Sequence, residues 1–469
     1  MATTALGSSN FQLPDDIHFL NRVSYGPTSA TVSEVAMRGW DRVLETQLHP
    51  ENIDTSAIDS IVETQFPTLG LTAKEILGAG DPELSAKVVS DLIAASLVRQ
   101  FRSPAQLYER MVEFWNDHFH INSIQDRVRL FKPTDDREVI RPSALGKFRD
   151  LLHASARSPA MLLYLDNNSN TKTGPNENYA RELLELHTLG VNGGYTETDV
   201  VEVARAFTGW TISRDTLEFV FNMKIHDRLE KTVLGQSLAH PAMGGIAEGN
   251  QVLDLLASHP STAKFISTKL LRRFVSDEPS PELVTMLSEV FLDTDGDIKS
   301  LLRTIFYSDE FWASQEMKMK RPIDFLASTI RRFDISTIKD LSSYIFSQLK
   351  QMGQVPFGWH SPDGYPDTAE YWTNTAALVN RWSTAKDAAY FLSTDKYLEI
   401  LGDATSPIAI IQAVAVAVID RELDEAERIS LKRSIFGRIS SSQAIEANPV
   451  PYAQLVATVL MGSRYFQKR

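Results

Sequence analysis

Apolar residues recur along the 469-residue chain at three- and four-residue intervals, the period of an amphipathic helix, and strict alternation is rare. Three short helices are predicted at 15–24, 29–37 and 39–48, parted by Gly26-Pro27 and Gly39. Residues 83–120 read as two longer helices broken near Ser103-Pro104, with Pro104 in the first turn of the second, where its missing N–H does no harm. A helical pair at 143–165 turns at Ser158-Pro159, a cap-and-start signal, and the polar run 167–175 forms a loop. A charged helix follows at 176–189, then one capped by Thr196 or Thr198. The one clear strand signal is LEFVFNMKI, 217–225, and HDRLEKTVLG after it predicts a return strand. Helices resume at 247–258, 260–275, 281–293, 298–306, 320–332 and 336–352. A Gly/Pro-rich aromatic loop interrupts at 356–372, and helical patterns continue at 373–391, 406–420, 424–438 and 452–466.

The expected fold class is therefore mainly α: one large, bundle-like, multi-helix domain over 15–469, behind a flexible segment 1–14. A small β-hairpin is inserted at about 217–235, and 373–469 is the stretch most able to form a C-terminal subdomain. LLRTIFYSDEFW (301–312) and LVATVLMGSRYF (455–466) echo each other as apolar helices ending in Ser-x-x-aromatic.

Composition narrows the function. A net charge of −13 argues against non-specific binding to nucleic acid or anionic membranes, which reward positive surfaces. No run of about 18 apolar residues suggests a membrane span, and MATTALGSSNFQLPDD has neither the basic nor the apolar region of a secretory signal. Localisation stays open on sequence grounds. With no cysteine, disulfides, thiolate nucleophiles, Cys-bound zinc and iron–sulfur clusters are all excluded. Walker-A, G-x-G-x-x-G, G-x-S-x-G and H-E-x-x-H patterns are missing, and nothing points to a nucleotide, flavin or haem. A metal would need His, Asp, Glu or Asn ligands.

The densest chemistry lies in NENYARELLELHTLG, 176–190. At about 100° per residue, Glu177, Arg181, Glu185 and Thr188 share an arc of roughly 80°, with Asn178 and Glu182 beside them and a leucine face behind. His187 falls on the apolar side and reads as a packing residue. The face is either a surface ladder of i,i+4 ion pairs or an Arg-buffered carboxylate pair lining a cleft. In LYERMVEFWNDHFHI, Glu109, Glu113, Asp117 and His120 share one face, and His118 points the other way, where burial would keep it neutral. Glu113, Asp117 and His120 also have the spacing of a carboxylate–histidine metal site, although a di-iron bundle would want two Glu-x-x-His units. His226-Asp227 and Lys231 mark the hairpin, where the Asp could simply close a turn. GWHSPDGYPDTAEYW brings Trp359, Tyr365 and Trp372 together with Asp363 and Asp367, a mixture that suits a sugar pocket or a helix junction.

FWNDHF (114–119), NENYARELLELHTLGV (176–191), ARAFTGW (204–210), HDRLEKTVLG (226–235), HPSTAKFISTKLLRRFVSD (259–277) and GWHSPDGYP (358–366) occur in this order. Together they resemble the large bacterial domain-of-unknown-function family numbered 1800, over nearly the whole chain. The family brings no established activity. Its members often carry an export signal and are often encoded beside a sulfatase-like protein, which implies a cell-envelope setting and a sulfatase-like partner; this chain departs in showing no signal. It also has His187 where the family more usually has an aromatic residue.

The resulting expectation is an enzyme with a cleft between the 107–120 helix, the 176–189 helix and the hairpin. Glu177, Glu182 or Glu185 would be acid or base beside Arg181, with His118 or His226 as proton-transfer partner. Asn116, Asn176, Trp210, Asp227, Lys231, Trp359, Asp363 and Tyr365 would contact a small polar substrate, carbohydrate or sulfated or phosphorylated, with or without a metal. The rival is a non-catalytic helical scaffold that binds a partner protein.

Overall fold

In a computed structural model of the chain, the described residues are 15–125, 128–238, 245–333, 338–445 and 448–469. The expected flexible segment 1–14 lies outside them. The fold is mainly α with two small two-stranded antiparallel sheets. None of the described helices is long and apolar enough to cross a membrane.

The residues sort into two compact units. One comprises 15–43, 312–354 and 368–469; the other comprises Leu44–Phe311 and Val355–Asp367. In the first, the Thr375–Phe391 and Val450–Gly462 helices pack together and Pro407–Ile419 packs on the latter. The two echoing segments, the first of which lies in the second unit up to Phe311, share a local form. Ser308 and Ser463 each end a helix and begin a one-turn helix that buries an aromatic ring, Phe311 in one and Phe466 in the other.

The second unit holds every residue singled out for chemistry except Trp372, which is buried in the first. Its long helices start and stop largely where local rules place them. Thr196 forms a capping box with Asp199: the Asp199 N–H donates to the Thr196 hydroxyl and the Thr196 N–H to the Asp199 carboxylate, which opens the Glu197–Ala206 helix. Two expectations need adjusting. Pro104 sits ahead of the Gln106–His118 helix rather than in its first turn. There the side chain of Gln106 reaches back to the carbonyls of Gln100 and Ser103, satisfying acceptors that the break leaves open. Ser158 does precede Pro159 at a helix start, but its hydroxyl donates to Asp135 (2.6 Å) instead of capping.

The strand at Phe219–Phe221 pairs backwards with Trp210–Ile212, not forwards with 226–235. Gly209, at φ +84°, turns the chain out of the preceding helix, so the apolar Trp210 enters the sheet and is fully buried. A second short hairpin joins Thr232–Val233 to Gln236–Ser237.

The charged helix is not one α-helix. Asn178–Glu182 is α-helical, and Leu183–Thr188 is a π-helical stretch with i→i+5 bonding. Leu189 N–H donates to the carbonyl of Leu184 (2.8 Å), and the Thr188 hydroxyl to that of Leu183 (2.6 Å). The extra residue per turn breaks the 100° register on which the uniform polar face depends. Thr188 consequently turns inward and is buried, while Glu177 and Arg181 stay outside.

Candidate functional site

Three elements of the second unit meet at His118: the end of the Gln106–His118 helix, the end of the π-helical stretch, and the Pro260–Phe274 helix. The His118 ring is buried edge-on to Trp115 and Phe119, with centroids 5.4 and 4.5 Å away. Its Nε2 lies 3.0 Å from the carbonyl of His187, which can only accept, so Nε2 carries the hydrogen and Nδ1 is left as acceptor. Lys269 Nζ fills that position at 3.0 Å. Burial, reinforced by the Lys269 charge, holds the His118 pKa well below its ordinary value and keeps the imidazole neutral.

Lys269 gains an acceptor there, and among the described residues no carboxylate contacts it. Burial of its ammonium pulls the pKa down to about 8, against the opposing attraction of Asp117, Asp367 and Asp363. An amine that titrates near neutrality, hydrogen-bonded to an imidazole and facing carboxylates, is equipped for proton transfer. Sequence reading passed over Lys269. The available signal was a pair of cations, Lys269 and Arg273, set among the apolar positions Ile266, Leu270 and Phe274 of one helix.

The aromatic loop closes over this junction. Ser123, through both its N–H and its hydroxyl, donates to the carbonyl of Phe357 (2.9 and 3.0 Å), and His120 Nε2 donates to that of Trp359 (2.9 Å). Tyr365 is buried and ties the loop to itself, its hydroxyl bridging the N–H and carbonyl of Val355. Trp359 packs against Tyr365 with its ring tilted and the centroids 4.9 Å apart, and donates from Nε1 to the exposed Asp363 (2.8 Å). Arg273 clamps the far end, bonding Glu113 (2.5 Å) and Asp367 (3.1 Å). Gly364, at φ +73°, lies so close to the Asp117 backbone that a Cβ would stand 2.0 Å from its carbonyl oxygen.

Glu182 and Glu185 lie half-buried on the flank. Burial, with repulsion from Glu185 and Asp363, raises the Glu182 pKa, and Glu185 accepts from the Tyr195 hydroxyl at 3.3 Å. Desolvation beside Glu182 and Asp363 likewise raises Tyr164 to about 12. His118, Glu182, Asp363, Trp359 and Tyr365 thus fall around one junction with Lys269, and Glu185 adjoins Glu182.

The other expected residues lie in separate groups. Glu177 and Arg181 form an exposed ladder with Glu197, Arg181 holding Glu197 through both Nη atoms (2.7 and 2.9 Å). Asn176 starts this segment, its side-chain oxygen accepting from the Asn178 N–H. Asn116 is buried, donating to Asp136 (2.8 Å) and the carbonyl of Val112 and accepting from Lys132 (2.7 Å). Behind the hairpins, His226 Nε2 lies 3.1 Å from Glu248 and its Nδ1 2.7 Å from the Thr208 carbonyl. Lys231 uses all three ammonium hydrogens on Glu248 and the carbonyls of Asp227 and Leu229. Burial works against the Glu248 carboxylate, but the bonds from His226 and Lys231 hold its pKa below the usual value. Asp227 pairs with Arg205 (2.8 Å) and closes the turn at Leu229. Trp210 is buried under Arg157.

Among the described residues no three His, Asp or Glu side chains converge as a metal site. Of the carboxylate–histidine set with metal spacing, Glu113 is held by Arg273 and His120 by the loop carbonyl.

No curated protein and no solved structure matches the chain. FWNDHF, NENYARELLELHTLGV, HPSTAKFISTKLLRRFVSD and GWHSPDGYP, four of the six motifs quoted for the resemblance, meet around His118 and Lys269, and a family model covers all six: residues 18–468 match it, and the chain belongs to the family of proteins of unknown function, DUF1800.

Proposed function

We propose that this protein is an enzyme of acid–base chemistry, hydrolysis or elimination, on a neutral, polyhydroxylated substrate of carbohydrate type. Lys269 is its proton-transfer group and His118 the residue that positions it. The observation that carries this reading is the 3.0 Å contact between Lys269 Nζ and His118 Nδ1, on a lysine whose pKa is drawn down to about 8. Glu182, whose pKa is raised by burial and by repulsion from Glu185, supplies a second group, a carboxyl that keeps its proton to higher pH than an exposed one. Trp359 offers a half-buried ring, and Asp363 beside it a hydrogen-bond acceptor, the pairing that suits a sugar face and its hydroxyls. Asp117, Asp363 and Asp367 all act on Lys269 electrostatically, and their negative field favours a neutral substrate over a sulfated or phosphorylated one.

The test is turnover of a panel of nitrophenyl glycosides and polysaccharides by wild type, Lys269→Gln and His118→Gln. The reading requires activity that rises with pH through about 8 in the wild type and is lost in Lys269→Gln. Equal turnover by the two would sink it. A second reading, a scaffold that docks a partner protein such as a sulfatase-like one, draws support from the exposed Glu177–Arg181–Glu197 ladder. Pull-down with an Arg181→Glu variant separates the two readings.

A further inference from the structure

A cavity of about 570 Å³ opens elsewhere in the same unit, beneath the tip of the Trp210–Phe221 hairpin. Its volume lies in the range of small-molecule sites, roughly 300–1,000 Å³. Phe131, Val139, Pro159, Leu217 and Phe219 give it apolar walls. Within this lining, Arg157 is a guanidinium with no carboxylate contact among the described residues. It is held rigidly instead, by the carbonyl of His153 (3.0 Å), the side-chain oxygen of Asn250 (2.6 Å) and the face of Trp210 at 5.4 Å. Those acceptors are all neutral. The one carboxylate that acts on Arg157, Asp254, does so at a distance, across the His153 ring, so this preorganised, partly desolvated cation faces an apolar chamber with no acid in direct contact.

Two further features belong to the same lining. The Thr134 hydroxyl is buried and has no partner among the described residues, so a donor is unused there. Leu217 holds φ +60°, a conformation that favours glycine, yet it presents a bulky side chain to the cavity. Val139 and Glu138 come from a second π-helical stretch, Asp136–Ile140, an element that recurs at functional sites. The acids of the lining are largely answered: Asp135 by Lys132 (2.6 Å) and Glu138 by Arg137 (2.6 Å). Arg157 and Lys74 therefore outweigh Glu218.

We propose that this cavity binds a small monocarboxylic acid with an apolar body, its carboxylate on Arg157 and its body between Phe131, Leu217 and Phe219. The site is separate from Lys269 and stands or falls independently of it. Trp210 then acts at one remove, as the ring that holds Arg157 in place.

The test is calorimetric titration of the full chain with 3-phenylpropionate, octanoate and the neutral 3-phenylpropanol. Saturable binding of at least one acid, about tenfold or more tighter than the alcohol, is expected, and Arg157→Gln should weaken the acid about tenfold or more without changing the alcohol. Leu217→Gly separates a ligand wall from mere folding: it relieves the backbone, so the melting temperature holds or rises, while acid affinity falls. Overturning results are an alcohol that binds as well as the acids, acid binding unchanged in Arg157→Gln, or no binding of either acid to protein of normal melting temperature.

Discussion

Lys269 Nζ stands 3.0 Å from Nδ1 of His118, on the ring nitrogen left without a hydrogen because the other faces the His187 carbonyl. The lysine receives an acceptor from this neutral ring, and burial outweighs the more distant attraction of Asp117, Asp367 and Asp363, so its ammonium is easy to deprotonate. Competitive acetylation across pH should show Lys269 half-reactive near pH 8, against about 10.4 for unperturbed lysines.

The same depression links stability to pH. Between about 8 and about 10.4 the unfolded chain holds a proton on Lys269 that the fold has lost, so this residue makes stability rise with pH through that window. Lys269→Gln keeps a donor for His118 without the charge. Urea midpoints of wild type minus variant should rise from pH 8 to pH 10; a flat difference would mean that Lys269 titrates normally.

His187→Phe should stabilise the protein by about 1 kcal/mol at pH 7, because the buried His187 Nε2 has no partner among the described residues and a ring of similar shape removes the deficit. Burial lowers the His187 pKa to about 3, so as pH falls below about 6.5 the unfolded chain takes up a proton that the fold refuses, and stability drops. The variant should lose less stability than wild type between pH 6.5 and pH 4. Thermal melts along that range decide it, and a variant that melts lower at pH 7 refutes the packing role.

Gly364→Ala cannot be accommodated at φ +73° with its Cβ against the Asp117 carbonyl. The expected result is release of the 355–367 loop, seen as rapid proteolytic cleavage there, at a loss of about 1–3 kcal/mol. Protection equal to wild type would show that this approach does not hold the loop.

Charge deletions should divide by burial. Lys231→Met strands Glu248 in the interior and should lower unfolding free energy by about 3–5 kcal/mol. Glu177→Gln, at the exposed ladder, should change it by less than about 0.5 kcal/mol and leave any turnover intact. Loss of turnover in Glu177→Gln would return the ladder to the catalytic machinery.

Much of this was legible in the sequence, for definite reasons. Helix period, the cap at Thr196 and the Ser158-Pro159 boundary are local signals, and the structure keeps them. The burial of His187 followed from its leucine neighbours. What failed needed information that local pattern lacks. A π-helical stretch has no residue signature here, so the wheel placed Thr188 outside and aligned Glu185 with Glu177. The strand at Phe219–Phe221 had two neighbours to choose from, and the buried Trp210 decided for the earlier one. Lys269 escaped notice because its meaning lies in a ring 151 positions away.

The π-helical stretch also settles a proton. Because the helix runs out just past His187, no later N–H of that helix claims the His187 carbonyl, and His118 takes it instead. An imidazole in the core thereby finishes a neighbouring helix, and its tautomer is written by where that helix ends. Removing one residue from 183–188 would restore α-helical pitch, move that terminus, and free His118 to exchange its two nitrogens. The lysine's acceptor would no longer be fixed, with no change to either side chain.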